Sequence, residues 1–174
     1  MLTEDGKHLY VSYDEYNGLV EKLAIKVHQS GWQFDTILCL ARGGMRPGDV
    51  LSRVFNKPLA IMSTSSYRSE AGTVRGELDI AHYITTPKGR IAGRVLLVDD
   101  LADSGQTLKA VIDQLRTNYQ PITELRSAVL WTKAVSSFMP DFCVEFLPTN
   151  PWIHQPFENY DTTTPEQLIK KWSV

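Results

Sequence analysis

Asp99 and Asp100 stand side by side, and Asp103, Ser104, Gly105, Gln106 and Thr107 follow almost at once. Adjacent carboxylates can hold sugar hydroxyls or a hard cation such as Mg2+. Ser104 to Thr107 supply backbone N–H groups and two hydroxyls where a helix is expected to begin. The free amides and dipole of a helix start favour an anion, typically phosphate. Gly105 lets that loop approach its ligand closely. The run therefore offers an acidic patch for a sugar beside a neutral nest for its phosphate. Taken singly, Asp103 or Ser104 is more commonly a helix cap and an acid pair is more commonly solvated surface. All of them together after one buried strand point to a site.

The elements around the run are those needed to hold it. Val95, Leu96, Leu97 and Val98 form an apolar stretch that suits a strand covered on both faces, as in a parallel sheet. Leu108, Val111, Ile112 and Leu115 recur at helical spacing just after the loop. Ligands of open parallel sheets bind beyond the carboxyl ends of the strands, which is where Asp99 and Asp100 fall. A second turn of this kind follows an apolar strand at 36–41. It reads Arg42, Gly43, Gly44, with Pro47 suited to a helix start and Val50, Leu51, Val54 and Phe55 as its inward face.

Elsewhere the periodicity predicts a strand at 9–11 and a helix over 14–29, buried through Tyr16, Leu19, Val20, Leu23, Ala24 and Val27. Further strands are expected at 59–62, 78–85, 127–132 and 142–146. Residues 63–76 are polar and small, and read as a long mobile loop of the kind that forms lids. Thr164, Pro165 and Gln167 open a last helix, docked through Leu168, Ile169 and Trp172. Strands alternating with amphipathic helices argue for an α/β fold, a doubly wound and mostly parallel sheet.

Composition narrows the function. The chain has 174 residues, 43% apolar and 22% charged, with formal net charge −2. That is one globular domain with a substantial core and no electrostatic case for nucleic acid or membrane as partner. No apolar run is long enough to span a bilayer, and the N-terminus has no signal-peptide pattern. Cys39 and Cys143 each sit in an apolar strand pattern. They read as reduced core thiols of a cytoplasmic protein, not as metal ligands.

The 95–108 stretch resembles the phosphoribosyl-diphosphate signature of the type I phosphoribosyltransferases: an apolar strand, two acids, then Asp-Ser/Thr-Gly-x-Thr. The likeness extends from about Val11 to Phe157 and lies nearest the xanthine–guanine and hypoxanthine–guanine enzymes. It implies a type I phosphoribosyltransferase fold over residues 1–174, with a small C-terminal hood built from about 142–174 plus N-terminal residues. It also implies a cytoplasmic enzyme, a homo-oligomer (dimer or tetramer), that carries the phosphoribosyl group of 5-phosphoribosyl 1-diphosphate to a purine with Mg2+.

The resemblance also assigns residues. Asp99 and Asp100 hold the ribose hydroxyls, directly or through the metal, and Ser104, Gly105, Gln106 and Thr107 hold the 5′-phosphate. Arg42 and the Gly43 amide face the leaving diphosphate. Tyr67 belongs to the lid, and Arg75 or its rival Arg68 reaches the diphosphate. Asp103 is the general base near N7 of the purine. Lys133, just after an apolar strand, meets the exocyclic oxygen, and Trp152 with Ile153 flanks the flat base. Ala41 and His154 depart from the family pattern, which leaves guanine, xanthine and hypoxanthine all open. Two other readings stay in view: a non-catalytic sensor of the same ligands, and a transferase for another base.

Overall fold

A four-residue apolar run without a polar face needs cover on both sides. The computed structural model describes residues 1–68, 75–87 and 89–173. Along the chain these form β1 (His8–Tyr10), α1 (Tyr13–Gln29), β2 (Thr36–Ala41), α2 (Met45–Val54), β3 (Leu59–Arg68), β4 (Arg75–Ile80) and β5 (Gly93–Val98). Then come β6 (Leu101–Ala102), α3 (Gln106–Asn118), β7 (Ile122–Lys133), β8 (Phe142–Leu147), β9 (Trp152–His154), a 3-10 turn (Glu158–Asp161) and α4 (Pro165–Trp172). Among the described residues no helix is long and apolar enough to cross a membrane.

The main sheet runs β4, β3, β2, β5, β7, with β6 and β8 both paired to β7. Its pairings are parallel except β3 with β4. Val98 faces Ala128 and Leu101 faces Trp131, so β6 resumes the line of β5 after a break at Asp99 and Asp100. Alternate side chains serve opposite faces. Ile37, Cys39, Leu96 and Val98 join α1 and α2 through Val20, Leu23, Val27 and Leu51. Leu38, Leu40, Val95 and Leu97 join α3 through Leu108, Val111 and Leu115. Each such side chain contributes ~1.5–3 kcal/mol on burial. A one-residue slip would exchange the two sets, so the pattern fixes the register.

Chain order runs from β2 out to β3 on one side and from β5 out to β7 on the other. The direction of winding therefore reverses between β2 and β5, where open α/β sheets leave a crevice beyond the strand ends. Cys39 lies opposite Val98, which sets the turn after β2 against Asp99 and Asp100.

β1 and β9 form a separate parallel pair, with Leu9 opposite Ile153, and the Val11 amide donates to the His154 carbonyl at 3.0 Å. Tyr10 stacks on His154, ring centres 4.3 Å apart.

Four expectations change. Of the loop expected at 63–76, residues 63–68 continue β3 and 75–76 open β4, antiparallel to it, while 69–74 lie outside the described residues. Ser, Thr and Tyr suit a pleated surface once a partner strand is present. Residues 142–147, counted with the hood, pair with β7 in the main sheet instead. Val54 faces solvent: it is the last residue of α2, and Phe55, one position on, packs inward in its place. α4 has the expected capping box but no buried residue. Ile169 and Trp172 are largely exposed, since the cap secures a local helix without supplying a surface to receive it.

Candidate active site

Two loops meet at the crevice, and packing decides which residues they can use. A Cβ on Gly43 would run into the Asp100 carboxyl, 2.6 Å from its Cγ. One on Gly44 would strike the Val98 carbonyl and come within 2.9 Å of the Leu40 backbone. Only glycine fits either place. Gly44 is the N-cap of α2, which has no side-chain cap and no acid in its first turn.

Asp99 accepts the Asp100 amide at 2.9 Å. Burial first, and the Asp100 charge second, push its carboxyl well above the usual carboxylate range; the Asp100 and Gly44 amides oppose this only in part. Asp100 is gripped on several sides. Its carbonyl accepts the Leu130 and Trp131 amides at 3.0 and 3.2 Å. Its Oδ2 accepts from Gln155 Nε2.

The loop after β6 turns into α3 at Gly105, whose φ of +74° is the left-handed region. A Cβ here would also lie 2.7 Å from Phe138 and 2.5 Å from Ser136 Oγ. Ser137 holds the loop from outside, donating from both its amide and its hydroxyl to the Ser104 carbonyl at 2.9 Å. The Gln106 amide reaches Ser104 Oγ at 3.4 Å. The first-turn amides of a helix have no acceptor within it. α3 has no acid there and no side-chain cap, so its end is left open to an anion.

Lys133 Nζ lies 2.9 Å from Asp103 Oδ1, with the lysine side chain 7% exposed and the aspartate 53%. A buried ammonium needs such a partner. The pair joins the end of β7 to the α3 loop.

Other predicted residues are placed differently. Arg42 is 87% exposed and pairs with Asp161 at 3.7 Å. Ile153 is 5% exposed and packs in the core with residues of α1, anchoring the small sheet. Trp152 beside it is half-exposed. The side chains of Tyr67, Arg68 and Arg75 lie outside the described residues. Gln155 and the 136–138 brace went unnoticed in the sequence. Gln155 stands two residues after Ile153 in the segment assigned to the base, and nothing local announces the brace.

The donor set suits one hard cation of the magnesium type. Among the described residues no group of three or more His, Cys, Asp and Glu converges, which leaves the two neighbouring carboxylates. Magnesium is commonly bound by one or two carboxylates, with substrate oxygens and water completing the octahedron.

A family model, the phosphoribosyl transferase domain, matches residues 12–162. The xanthine-guanine phosphoribosyltransferase of Idiomarina loihiensis is 26% identical over 153 residues, 87% of this chain and 88% of that protein. The purine phosphoribosyltransferase of Pyrococcus horikoshii superposes with a TM-score of 0.71 at 27% identity, over 87% of this chain and 93% of that one. The xanthine-guanine-hypoxanthine phosphoribosyltransferase of Helicobacter pylori gives 0.70 at 25% identity, over 96% of this chain and 99% of that one.

Proposed function

The chain belongs to the phosphoribosyl transferase domain family, and from that premise we propose that it makes purine 5′-monophosphates in the cytoplasm. The phosphoribosyl group of 5-phosphoribosyl 1-diphosphate passes to a 6-oxopurine, in purine salvage. The observation that carries the choice of base is the Lys133–Asp103 pair at 2.9 Å. It provides an ammonium and a carboxylate together beside the sugar loop, which a 6-oxopurine uses and a base without that oxygen does not.

In the reaction a purine nitrogen forms a bond to the anomeric carbon. The bond from that carbon to the diphosphate breaks, and the diphosphate leaves with the electron pair. The ring proton passes to Asp103, which keeps an exposed oxygen free to take it. A placed base of this kind contributes about 10²–10⁴-fold. Lys133 has three N–H donors, so it can hold Asp103 and still reach the exocyclic oxygen as charge grows there.

The open α3 start with Ser104 and Thr107 takes the 5′-phosphate, and the Gly43 amide takes the leaving diphosphate, since the Gly44 and Met45 amides already bond the Leu40 and Arg42 carbonyls. Arg42 turns from Asp161 to that diphosphate; an exposed pair of this sort is worth ~0–1 kcal/mol and releases readily. Trp152 covers the base. Mg2+, when held at Asp99 and Asp100, neutralises charge on the donor. Tyr67 with Arg75 or Arg68 closes over the site and keeps water from the donor.

The test is to mix the protein with donor, Mg2+ and each of guanine, xanthine, hypoxanthine, adenine and uracil, and to measure diphosphate and nucleotide. Nucleotide forms with one or more of the 6-oxopurines. Turnover with adenine or uracil alone would assign another base, and no turnover with any base would leave a sensor of the same ligands.

A further inference from the structure

Gln155 follows β9 and gives one amide N–H to Asp100 Oδ2. A carboxamide that donates from its nitrogen turns its oxygen elsewhere as an acceptor. That oxygen, Oε1, is buried and meets no hydrogen-bond donor among the described residues. An unmet buried acceptor costs about 1–3 kcal/mol, so the position calls for a donor that arrives with a ligand. The amide cannot simply flip to relieve it, because a flip would set its oxygen against the Asp100 carboxylate.

Asp100 cannot move away either. Its amide is held by Asp99 Oδ1 at 2.9 Å, its carbonyl by Leu130 and Trp131, and its carboxyl lies against the Gly43 backbone. Asp100 and Gln155 therefore present two fixed acceptors side by side, one charged and one neutral. Neighbouring sugar hydroxyls are the matching pair of donors.

We propose that Gln155 is a specificity residue for the sugar: its Oε1 accepts one hydroxyl of a ribose diol while Asp100 takes the other. The inference rests on the phosphoribosyl reading and adds to it a preference for ribose over deoxyribose. A site built to bond a hydroxyl discriminates strongly against the analogue that lacks it.

The experiment uses the full chain, wild type and Gln155→Met, and measures calorimetric affinity for guanosine 5′-monophosphate and its 2′-deoxy and 3′-deoxy forms. Wild type is expected to bind the ribonucleotide about tenfold or more tightly than one of the two deoxy forms. Gln155→Met loses that factor for the ribonucleotide and keeps its affinity for the same deoxy form within about twofold, so the preference collapses. A purely structural role would weaken all three alike, and that overturns the inference, as does a preference that survives in the variant. Should Gln155→Met not fold, wild type alone decides: equal affinity for all three forms overturns it. Failure of wild type to bind guanosine, xanthosine and inosine monophosphates alike would instead sink the phosphoribosyl reading itself.

Discussion

The chain treats its helix starts in two ways. α1 opens on a full capping box, Ser12 with Glu15, and carries Asp14 and Glu15 in its first turn. α4 does the same with Thr164, Gln167 and Glu166. α2 and α3 open on Gly44 and Gly105, with no side-chain cap and no acid in the first turn. A cap is typically worth ~1 kcal/mol, so the bare ends forgo stability that the same sequence secures elsewhere. The two bare ends are those that follow the crevice-lining loops after β2 and β6. Packing forbids a cap there, since neither glycine has room for a Cβ. At α3 the first-turn amides are then left to a phosphate; at α2 the Gly44 and Met45 amides already bond the Leu40 and Arg42 carbonyls, so a diphosphate is left the Gly43 amide.

The severest way to break this contrast is to force a capping residue onto α3. Gly105→Ser sets a side chain at φ +74° and against Ser136 and Phe138. Backbone strain of about 1–3 kcal/mol and overpacking of about 1–3 kcal/mol add together. Urea denaturation should show a loss of several kcal/mol, and the soluble fraction should have kcat/KM reduced by 100-fold or more. Normal turnover would mean that this loop does not hold the 5′-phosphate.

Asp99 makes the same trade in charge that the helix ends make in capping. Its folded value stands well above the ordinary 3.8. Its contribution to stability is therefore fullest below the unfolded value and is lost as pH rises through the raised folded one. Asp99→Asn removes that loss. In chelator at pH 7 the variant should melt above wild type, the gap should close toward pH 3, and transfer should fall by 10²-fold or more. Equal melting curves at both pH values would mean that Asp99 carries no such burden.

A milder substitution turns the bare end of α3 into a likeness of α1. Gln106 is exposed in the first turn. Gln106→Glu supplies the missing acid and should stabilise the free protein by about 0.3–1 kcal/mol. The same charge repels phosphate, so KM for the donor should rise about tenfold with kcat changed far less. A variant that gains stability and keeps its KM would show that the open end serves no anion.

How much of this was legible beforehand depended on how local the cause was. The apolar run at Val95–Val98, the α1 stripe from Tyr16 to Val27 and the Thr164–Gln167 box carry their own signals, and each lies where periodicity and capping chemistry set it. The acid pair and the Gly105 loop were legible as a motif. Three features were not. The β3 extension depends on a partner strand at 75–80. The small sheet joins segments from opposite ends of the chain, His8 opposite Trp152; only the resemblance, with its hood that includes N-terminal residues, foreshadowed it, and no local pattern did. Gln155 reaches Asp100 across 55 positions. Such contacts come from tertiary placement, and no window of sequence contains both partners. Arg42 illustrates the reverse: its motif position was plain, but Asp161 captures the side chain on the surface.

The smallest effect is expected at the capped end that faces no ligand. Ser12 Oγ accepts the Glu15 amide at 3.2 Å, and Glu15 Oε2 in turn accepts the Ser12 amide at 2.7 Å. Ser12→Ala removes half of that exchange and should cost about 0.5–2 kcal/mol. For a chain of this length each kcal/mol lowers Tm by about 2–4 °C. Turnover and KM should stay within twofold, because α1 presents its start to solvent and its charge to nothing that binds. Gln106→Glu and Ser12→Ala thus act in opposite directions on stability, and only the first disturbs the donor. A Ser12→Ala protein with a raised donor KM would place the capped end in the site as well and erase the distinction between the two kinds of helix start.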